Sequence, residues 1–373
     1  MKQRIFILGA SGNVGRELVK QIFEKDGIGF HTNPSVIVGV ANSQNFIFNS
    51  SGLETSQIEQ IIESREKAVH ILEKDGTKIN ELSDLLEVIK KYGLDGEVIF
   101  ADVTAGKEEL LEFHKQVIHN SQNFLVTANK NPISLYSIED FNDLIFYSGR
   151  YDTNTTVMGG GGVLNFVNER NDKINDKIVK IEGVFSGTLG YILSELEQGE
   201  KSFSEIVRQA KELGYTEPNP WDDLNGLDVA RKLVILARYA GHNIEINDVI
   251  VEPLISEKYS TLEGEEFLNA LNEEDPYFEE KSKEAKNNGK VLRYVGELTN
   301  KDNKLVLKVG LKAVPKNSDL GNLSGTSNLA LIETEILAKP LPHVIKSRGA
   351  GLAVTAGSIR VGIAKMLPNY IKN

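Results

Sequence analysis

The sequence predicts an α/β chain: a doubly wound parallel sheet, followed by an α+β region built on a mixed sheet. Three observations predict it. Short apolar runs at 4–8, 35–41, 98–103 and 123–127 alternate with helical patterns, the order that builds a parallel sheet. The first run passes straight into a glycine loop and a helix. Further along, apolar runs at 291–298 and 305–311 flank a short polar stretch, the pattern of an antiparallel hairpin.

Size and composition bound the possibilities. At 373 residues the chain has room for two domains, divided near residue 150. With 40% hydrophobic and 25% charged residues it has the composition of an ordinary globular protein. A net charge of −11 argues against a nucleic-acid or anionic-membrane partner. There is no cysteine, which removes disulfides, thiolate metal sites and thiol nucleophiles together. Apolar runs fall short of the roughly 18 residues of a membrane span. Met1-Lys-Gln-Arg4 leads into a strand rather than a long apolar segment, so no signal peptide is read and a cytoplasmic location is expected.

In chain order, Arg4–Leu8 is the first strand, followed by Gly9-Ala-Ser11-Gly12-Asn13-Val14-Gly15 and a helix through Ile22. Strand, glycine loop and helix together form the context in which glycines bind a dinucleotide. They permit a tight turn, close approach of a pyrophosphate, and an anion at the helix N-terminus. The spacing is one residue longer than G-x-G-x-x-G. Ser35–Ala41 is a second buried strand, and it ends in Asn42. An acid there would hold the ribose of NAD. Its absence tilts the cofactor toward NADP, although no arginine stands ready for a 2′-phosphate. Val98–Val103 and Asn123–Thr127 are the next strands, so Asp102, Thr104 and Lys130 lie at carboxyl ends, where ligands of such sheets gather. Residues 1–150 thus read as a Rossmann-type NAD(P)-binding domain.

The catalytic and dimerisation domain is expected at 151–342. Its glycine-rich stretch Thr155-Thr-Val-Met158-Gly-Gly160-Gly-Gly162 gives backbone groups access to a ligand or ion, or serves as a hinge. Lys180–Phe185 is a strand, and an amphipathic helix follows from Tyr191 to Glu197. Ser202 and Glu205 have capping-box spacing, starting a helix that ends near Gly214. Tyr215–Asp223 is then a loop between helices. From about Leu224 a helix places Asp228 and Lys232 on one face. An exposed ion pair is the plain reading of such a pair. The same face continues to Ile235 and Tyr239, and the lead-in packs Glu217, Asp222 and Asp223 beside two prolines. Those features favour a partly buried site. The stretch 247–290 is acidic and uninformative. The hairpin loop is expected at Thr299–Lys304, and a strand at Leu329–Leu337. Sheet edges that need covering lead us to expect a homodimer. Gly349–Gly357 leads into a helix ending near Met366.

One family carries the same residues. Leu213-Gly-Tyr-Thr-Glu-Pro-Asn-Pro-Trp-Asp-Asp-Leu-Asn-Gly-Leu-Asp-Val-Ala-Arg-Lys232 closely resembles homoserine dehydrogenase. Phe185-Ser-Gly-Thr-Leu, Thr127-Ala-Asn-Lys, Lys290-Val-Leu-Arg-Tyr-Val-Gly and Gly349-Ala-Gly-Leu-Ala-Val-Thr-Ala add to the likeness. The version it resembles is monofunctional, with neither an aspartokinase nor a C-terminal regulatory domain. The resemblance implies reversible NAD(P)H-dependent reduction of L-aspartate 4-semialdehyde to L-homoserine, in threonine, methionine and isoleucine biosynthesis. It implies Lys232 as proton donor and Asp228 as the acid that orients it. Glu217, Asp223, Tyr215, Thr188 and Lys130 would bind substrate. Gly9, Ser11, Gly12, Asn13, Val14, Gly15, Asn42, Thr104, Lys130 and Gly351 would bind cofactor, and the tail from about 343 to 373 would complete the first domain. A structural Na⁺ would take carbonyls of Met158, Gly160 and Gly162. A gap-free alignment puts Thr155 at the acid's place, whereas one with two inserted residues puts Asp152 there. Asn219 and Trp221 stand where the family commonly has an acid and an arginine. The alternatives are a reductase of another small amino-aldehyde, or a nucleotide-sensing relative without turnover.

Overall fold

The computed structural model describes residues 2–26, 34–147, 149–301, 304–349 and 351–372. The chain divides into two compact units, Met1–Gly160 with Gly351–Asn373, and Gly161–Ala350. The first crossing falls at 160 rather than 150 because Tyr151–Asp152 still pairs with the sheet of the first unit. The return falls at 350 rather than 342 because His343–Arg348 pairs with a strand of the second unit.

The first unit holds seven strands: β1 (Gln3–Leu8), β2 (Ser35–Ala41), β3 (Asn45–Phe48), β4 (Thr77–Lys78), β5 (Val98–Asp102), β6 (Phe124–Thr127) and β7 (Tyr151–Asp152). Their order is β4-β3-β2-β1-β5-β6-β7. The five strands from β2 to β7 in that order are parallel. β3 and β4 are antiparallel additions that the sequence did not reveal. The side-chain oxygen of Asn42 accepts from the Gln44 and Asn45 amides at 2.8 Å each, turning the chain back along β2. β1 is buried on both faces, with Ile5, Phe6 and Ile7 inaccessible to solvent, as a central parallel strand must be.

Strand order reverses at β1, with β2 on one side and β5 on the other. In such a sheet the crevice at the carboxyl ends is the ligand site, and here it opens beside the glycine loop. Gly9 and Ala10 donate to the carbonyl of Ala41 at 2.9 and 3.0 Å. Gly15 brings the helix Asn13–Gln21 down onto that loop: a Cβ there would lie 2.1 Å from the Gly9 carbonyl oxygen. Only glycine permits that approach.

The tail forms a helix over Leu352–Lys372, longer than the end near Met366 expected from the sequence. Ala356, Ile359, Ile363 and Met366 join the core that also holds Ile5, Ile7, Leu18 and Val126. Arg360 pairs with Asp26, and Gln3 donates to the Ile363 carbonyl at 3.0 Å.

The second unit contains β8 (Ile178–Val184), β9 (Ile250–Val251), β10 (Lys290–Lys301), β11 (Lys304–Pro315), β12 (Ser327–Thr334) and β13 (His343–Arg348), ordered β13-β12-β8-β10-β11-β9. All pairings are antiparallel except β11 with β9, so the sheet is mixed. The hairpin is longer than the polar stretch 299–304 suggested, because pairing continues to Lys301 opposite Lys304. Its turn, Asp302-Asn303, lies outside the described residues. β12 stops at Thr334 rather than Leu337. There the buried carboxylate of Asp176 accepts from the Thr334 hydroxyl and from the amides of Ile336 and Leu337. That hydrogen bonding turns the chain out of the ladder.

Candidate active site

The second unit is built around the helix Leu227–Tyr239. It starts three residues after the position expected from the sequence. A separate turn, Trp221–Leu224, precedes it, and Gly226 between them has φ of +77°. Asn225 accepts from the Leu227 amide at 2.9 Å and so caps the first turn. Val229, Ala230 and Leu233 to Ala237 are buried, so the helix runs through the middle of its unit rather than along its surface. An alanine at 226 would need the left-handed conformation, and its Cβ would lie 2.0 Å from the Tyr294 hydroxyl. Gly226→Ala is therefore expected to cost about 2 kcal/mol or more, read as a lower denaturation midpoint in urea. An unchanged midpoint would show that the entry to this helix is not constrained.

Lys232 is 9% exposed. Its Nζ lies 2.7 Å from Asp228 Oδ2 and donates to the Phe185 carbonyl, also at 2.7 Å. Two acceptors on different elements thus hold one ammonium. Arg231 stands 3.7 Å from the other oxygen of Asp228. The pair is not the exposed surface salt bridge of the plain reading.

The loop before the helix supplies a group of carboxylates. Asp223 Oδ2 accepts from the Glu217 amide at 2.8 Å, which draws the loop closed. Burial pushes the Asp223 carboxyl up to about 6, and the negative charges of Glu217 and Asp228 add to the shift. The Glu217 amide and Thr188 oppose it. Thr188 lies in the first turn of the helix Gly187–Gln198, whose N-cap is Ser186. Its hydroxyl donates to the Tyr215 carbonyl at 2.5 Å. The structure therefore brings Glu217, Asp223, Tyr215, Thr188, Asp228 and Lys232 together. Asn219 accepts from the Trp221 amide at 3.2 Å. That bond starts the short turn, a role that an acid's carboxylate oxygen would fill equally well.

The first unit holds the remaining sequence-predicted residues. Gly12 is the N-cap of the nine-residue helix Asn13–Gln21, and no side chain caps that first turn. Ser11, Gly12, Asn13 and Val14 line the loop with partial or full exposure. The N-terminal amides of a helix favour a phosphate, and with Gly15 packed beneath them they fit a dinucleotide. A Cβ on Gly9 would touch the Thr104 side chain at 3.1 Å, so Thr104 adjoins the loop. Lys130 stands at the N-cap position of the short helix Asn131–Ser134, three residues after β6, without a side-chain capping bond. Gly351 is exposed and accepts from the Thr355 amide at 2.9 Å at the start of the tail helix.

Sequence reasoning named Asp102 but missed the buried residues that hold it. His114 Nε2 lies 3.1 Å from Asp102 Oδ2, and His114 Nδ1 lies 2.9 Å from the Tyr151 hydroxyl. Burial raises the pKa of Asp102, but His114 and Thr104 outweigh it and hold the carboxyl below its ordinary value. A histidine in a helix and a tyrosine on an edge strand carry no shared sequence signal.

The glycine stretch has three consecutive left-handed residues, Met158 (φ 56°), Gly159 (55°) and Gly160 (82°). For methionine that conformation is strained. Gly162, in the second unit, has φ of 82°. Thr155 shares a hydrogen bond with Ser358 at 2.9 Å. Asp152 accepts from the amide and side chain of Asn154 at 3.1 and 2.7 Å. Asn154 Oδ1 is buried without a hydrogen-bond partner.

Comparison with known proteins gives a consistent result. The family model described as homoserine dehydrogenase matches residues 163–363. The homoserine dehydrogenase of Saccharomyces cerevisiae is 33% identical over 307 residues, covering 78% of this chain and 80% of that protein. A chloroplastic bifunctional aspartokinase/homoserine dehydrogenase of Daucus carota is 30% identical over 95% of this chain, which spans 37% of that relative's length. A hyperthermophilic archaeal homoserine dehydrogenase, solved in complex with NADPH, shares the fold with a TM-score of 0.70. It is 23% identical and covers 99% of this chain and 98% of that one.

Proposed function

Because the chain belongs to the homoserine dehydrogenase family, we propose that it reduces L-aspartate 4-semialdehyde reversibly to L-homoserine with NAD(P)H. The reaction would serve threonine, methionine and isoleucine biosynthesis. The observation that carries this reading is Lys232, buried and held between Asp228 and the Phe185 carbonyl, next to the acid group of the substrate loop.

The substrate has an ammonium, a carboxylate and a carbonyl. Glu217 and Asp223 take the ammonium, because two carboxylates in a partly buried loop attract a cation strongly. Lys232 donates a proton to the carbonyl oxygen as negative charge develops on it, and takes the proton back in the reverse direction. Asp228 keeps the Nζ in one place through both. Tyr215 and Thr188 shape the loop around the substrate. A nicotinamide nucleotide at the glycine loop supplies the hydride. Asn42, at a position where an acid would select NAD, favours NADP, and the archaeal relative's NADPH complex supports a nicotinamide nucleotide as the cofactor. Thr104 and Lys130 belong to the ribose side of that site.

A structural Na⁺ is part of the proposal only as a neighbour of the glycine stretch. Asn154 Oδ1, orphaned and buried, is the side-chain oxygen there that best fits a cation, whereas Thr155 and Asp152 are engaged. No chemical step depends on it. A homodimer is supported by β13, a largely exposed edge strand. A cytoplasmic setting is part of the proposal. Among the described residues no helix is long and apolar enough to cross a membrane.

The test is consumption of NADPH, with NADH in parallel, on addition of L-aspartate 4-semialdehyde. Turnover, faster with NADPH, is the expected result. Tight NADPH binding without turnover would leave a nucleotide sensor as the correct reading. Turnover restricted to other amino-aldehydes would overturn the substrate assignment.

A further inference from the structure

We propose that His114 is a positioning residue for the cofactor: held between Asp102 and Tyr151, it orients the Asp102 carboxylate so that the Thr104 hydroxyl donates inward and offers the ligand only its lone pairs. The proposal rests on reading the first unit as a nicotinamide-nucleotide site.

The Asp102 carboxylate is inaccessible to solvent and is filled with donors. Its Oδ1 accepts from the Thr104 amide at 2.9 Å and the Thr104 hydroxyl at 2.7 Å. Its Oδ2 accepts from the Thr127 hydroxyl at 3.1 Å and faces His114 Nε2 at 3.1 Å. An ionised carboxylate offers about four acceptor positions, so each is used once.

A threonine hydroxyl has a single proton. Since Asp102 takes it, Thr104 Oγ1 can only accept from anything else. One approach is already visible: Asn129 Nδ2 lies 3.4 Å away. The ligand group that Thr104 recognises is therefore a donor, such as a ribose hydroxyl or a carboxamide N–H. A phosphate oxygen would be repelled.

His114 makes this arrangement self-consistent. With its proton on Nε2 it donates to Asp102, and Nδ1 is then an acceptor for the Tyr151 hydroxyl at 2.9 Å. That tautomer satisfies the imidazole, the phenol and the carboxylate together. The ring is buried on the helix Glu108–His119, among Leu110, Leu111 and Val117, so water cannot replace it without displacing the helix.

The same carboxylate ties two strand-end loops together. Thr127 Oγ1 accepts from the Asn129 amide at 2.9 Å, and Asn129 Nδ2 reaches the Gly106 carbonyl at 3.0 Å. With the His114 donor removed, Oδ2 keeps only Thr127 as a partner, so the carboxylate is held less firmly in the orientation that draws the Thr104 proton inward.

A double-mutant cycle on NADPH binding, read by fluorescence titration, tests this. His114→Leu and Thr104→Val are each expected to weaken binding about tenfold, and the double variant no more than Thr104→Val alone. His114→Gln, which keeps a donor toward Asp102, should recover binding to within about threefold, with kcat at saturation little changed. Native-like binding by His114→Leu would overturn the proposal, as would losses that multiply in the double variant. Should His114→Leu fail to fold, Tyr151→Phe enters the same cycle with the same criterion. Failure of the native protein to bind NADPH would overturn the cofactor reading and this proposal with it. Indifference to His114 in a native protein that binds NADPH would overturn this proposal alone.

Discussion

Replacing Lys232 by alanine is expected to lower kcat at least about a hundredfold, the scale of one proton-transfer group, while leaving the KM for NADPH nearly unchanged. A hundredfold is about 2.7 kcal/mol of transition-state stabilisation. The expectation follows from how the ammonium is held. Two of its contacts, to Asp228 and to the Phe185 carbonyl, are both 2.7 Å long. They hold the proton donor at one place in a site that is mostly closed to water. An alanine leaves water to protonate the developing alkoxide, from an unfixed position. Folding should survive, because Asp228 is 30% exposed and has Arg231 at 3.7 Å to offset its charge. A folded Lys232→Ala protein with native kcat would end the proton-donor assignment.

Asp223→Asn is expected to raise the KM for the amino-aldehyde about tenfold or more, the cost of losing one charged hydrogen-bond partner, and to raise the melting temperature at pH 8. The two effects have opposite signs for one reason. Folding lifts the Asp223 carboxyl from an ordinary 3.8 to about 6, chiefly through burial. A group with a raised folded value adds stability that is complete below about pH 4 and lost as pH rises through about 6. Above that range the empty protein carries a partly buried charge next to Glu217 and Asp228, and asparagine relieves it. The gain in melting temperature should vanish near pH 4. Substrate binding needs that same charge. In the native protein kcat/KM should fall as pH drops through about 6, since Asp223 gains a proton and stops attracting the ammonium. Asparagine abolishes that part of the profile. A native profile without a fall near pH 6 would show that Asp223 does not hold the substrate.

The parallel core of the first unit was legible because buried strands leave uninterrupted apolar runs. β3 and β4 were not, since the turn that creates them depends on the Asn42 side chain reaching two amides. The opening of the catalytic helix was misread at Leu224 for a similar reason. Prolines, acids and a glycine in succession do not tell a continuous helix from a turn, a left-handed residue and a new start. Asp228 and Lys232 were readable because helical spacing is local and rigid. Their burial was hinted at by Ile235 and Tyr239 on the same face and by the acidic, proline-held lead-in. The Phe185 carbonyl was beyond reach, because backbone acceptors have no signature. His114 and Tyr151 were hidden too, since a buried hydrogen-bond chain across distant segments leaves no period.

The tail helix has a consequence for how the protein is made. Ala356, Ile359, Ile363 and Met366 fill a core whose other residues come from the first 126 positions. On the ribosome, the first unit therefore emerges with part of its apolar interior open. It stays open while the whole of 161–350 is synthesised, and at roughly 5–20 residues per second that wait lasts on the order of ten seconds or more. The second unit is one continuous stretch, Gly161–Ala350, and can close on itself as soon as β13 is out. The second unit is thus ready before the first, although the first unit leads the message.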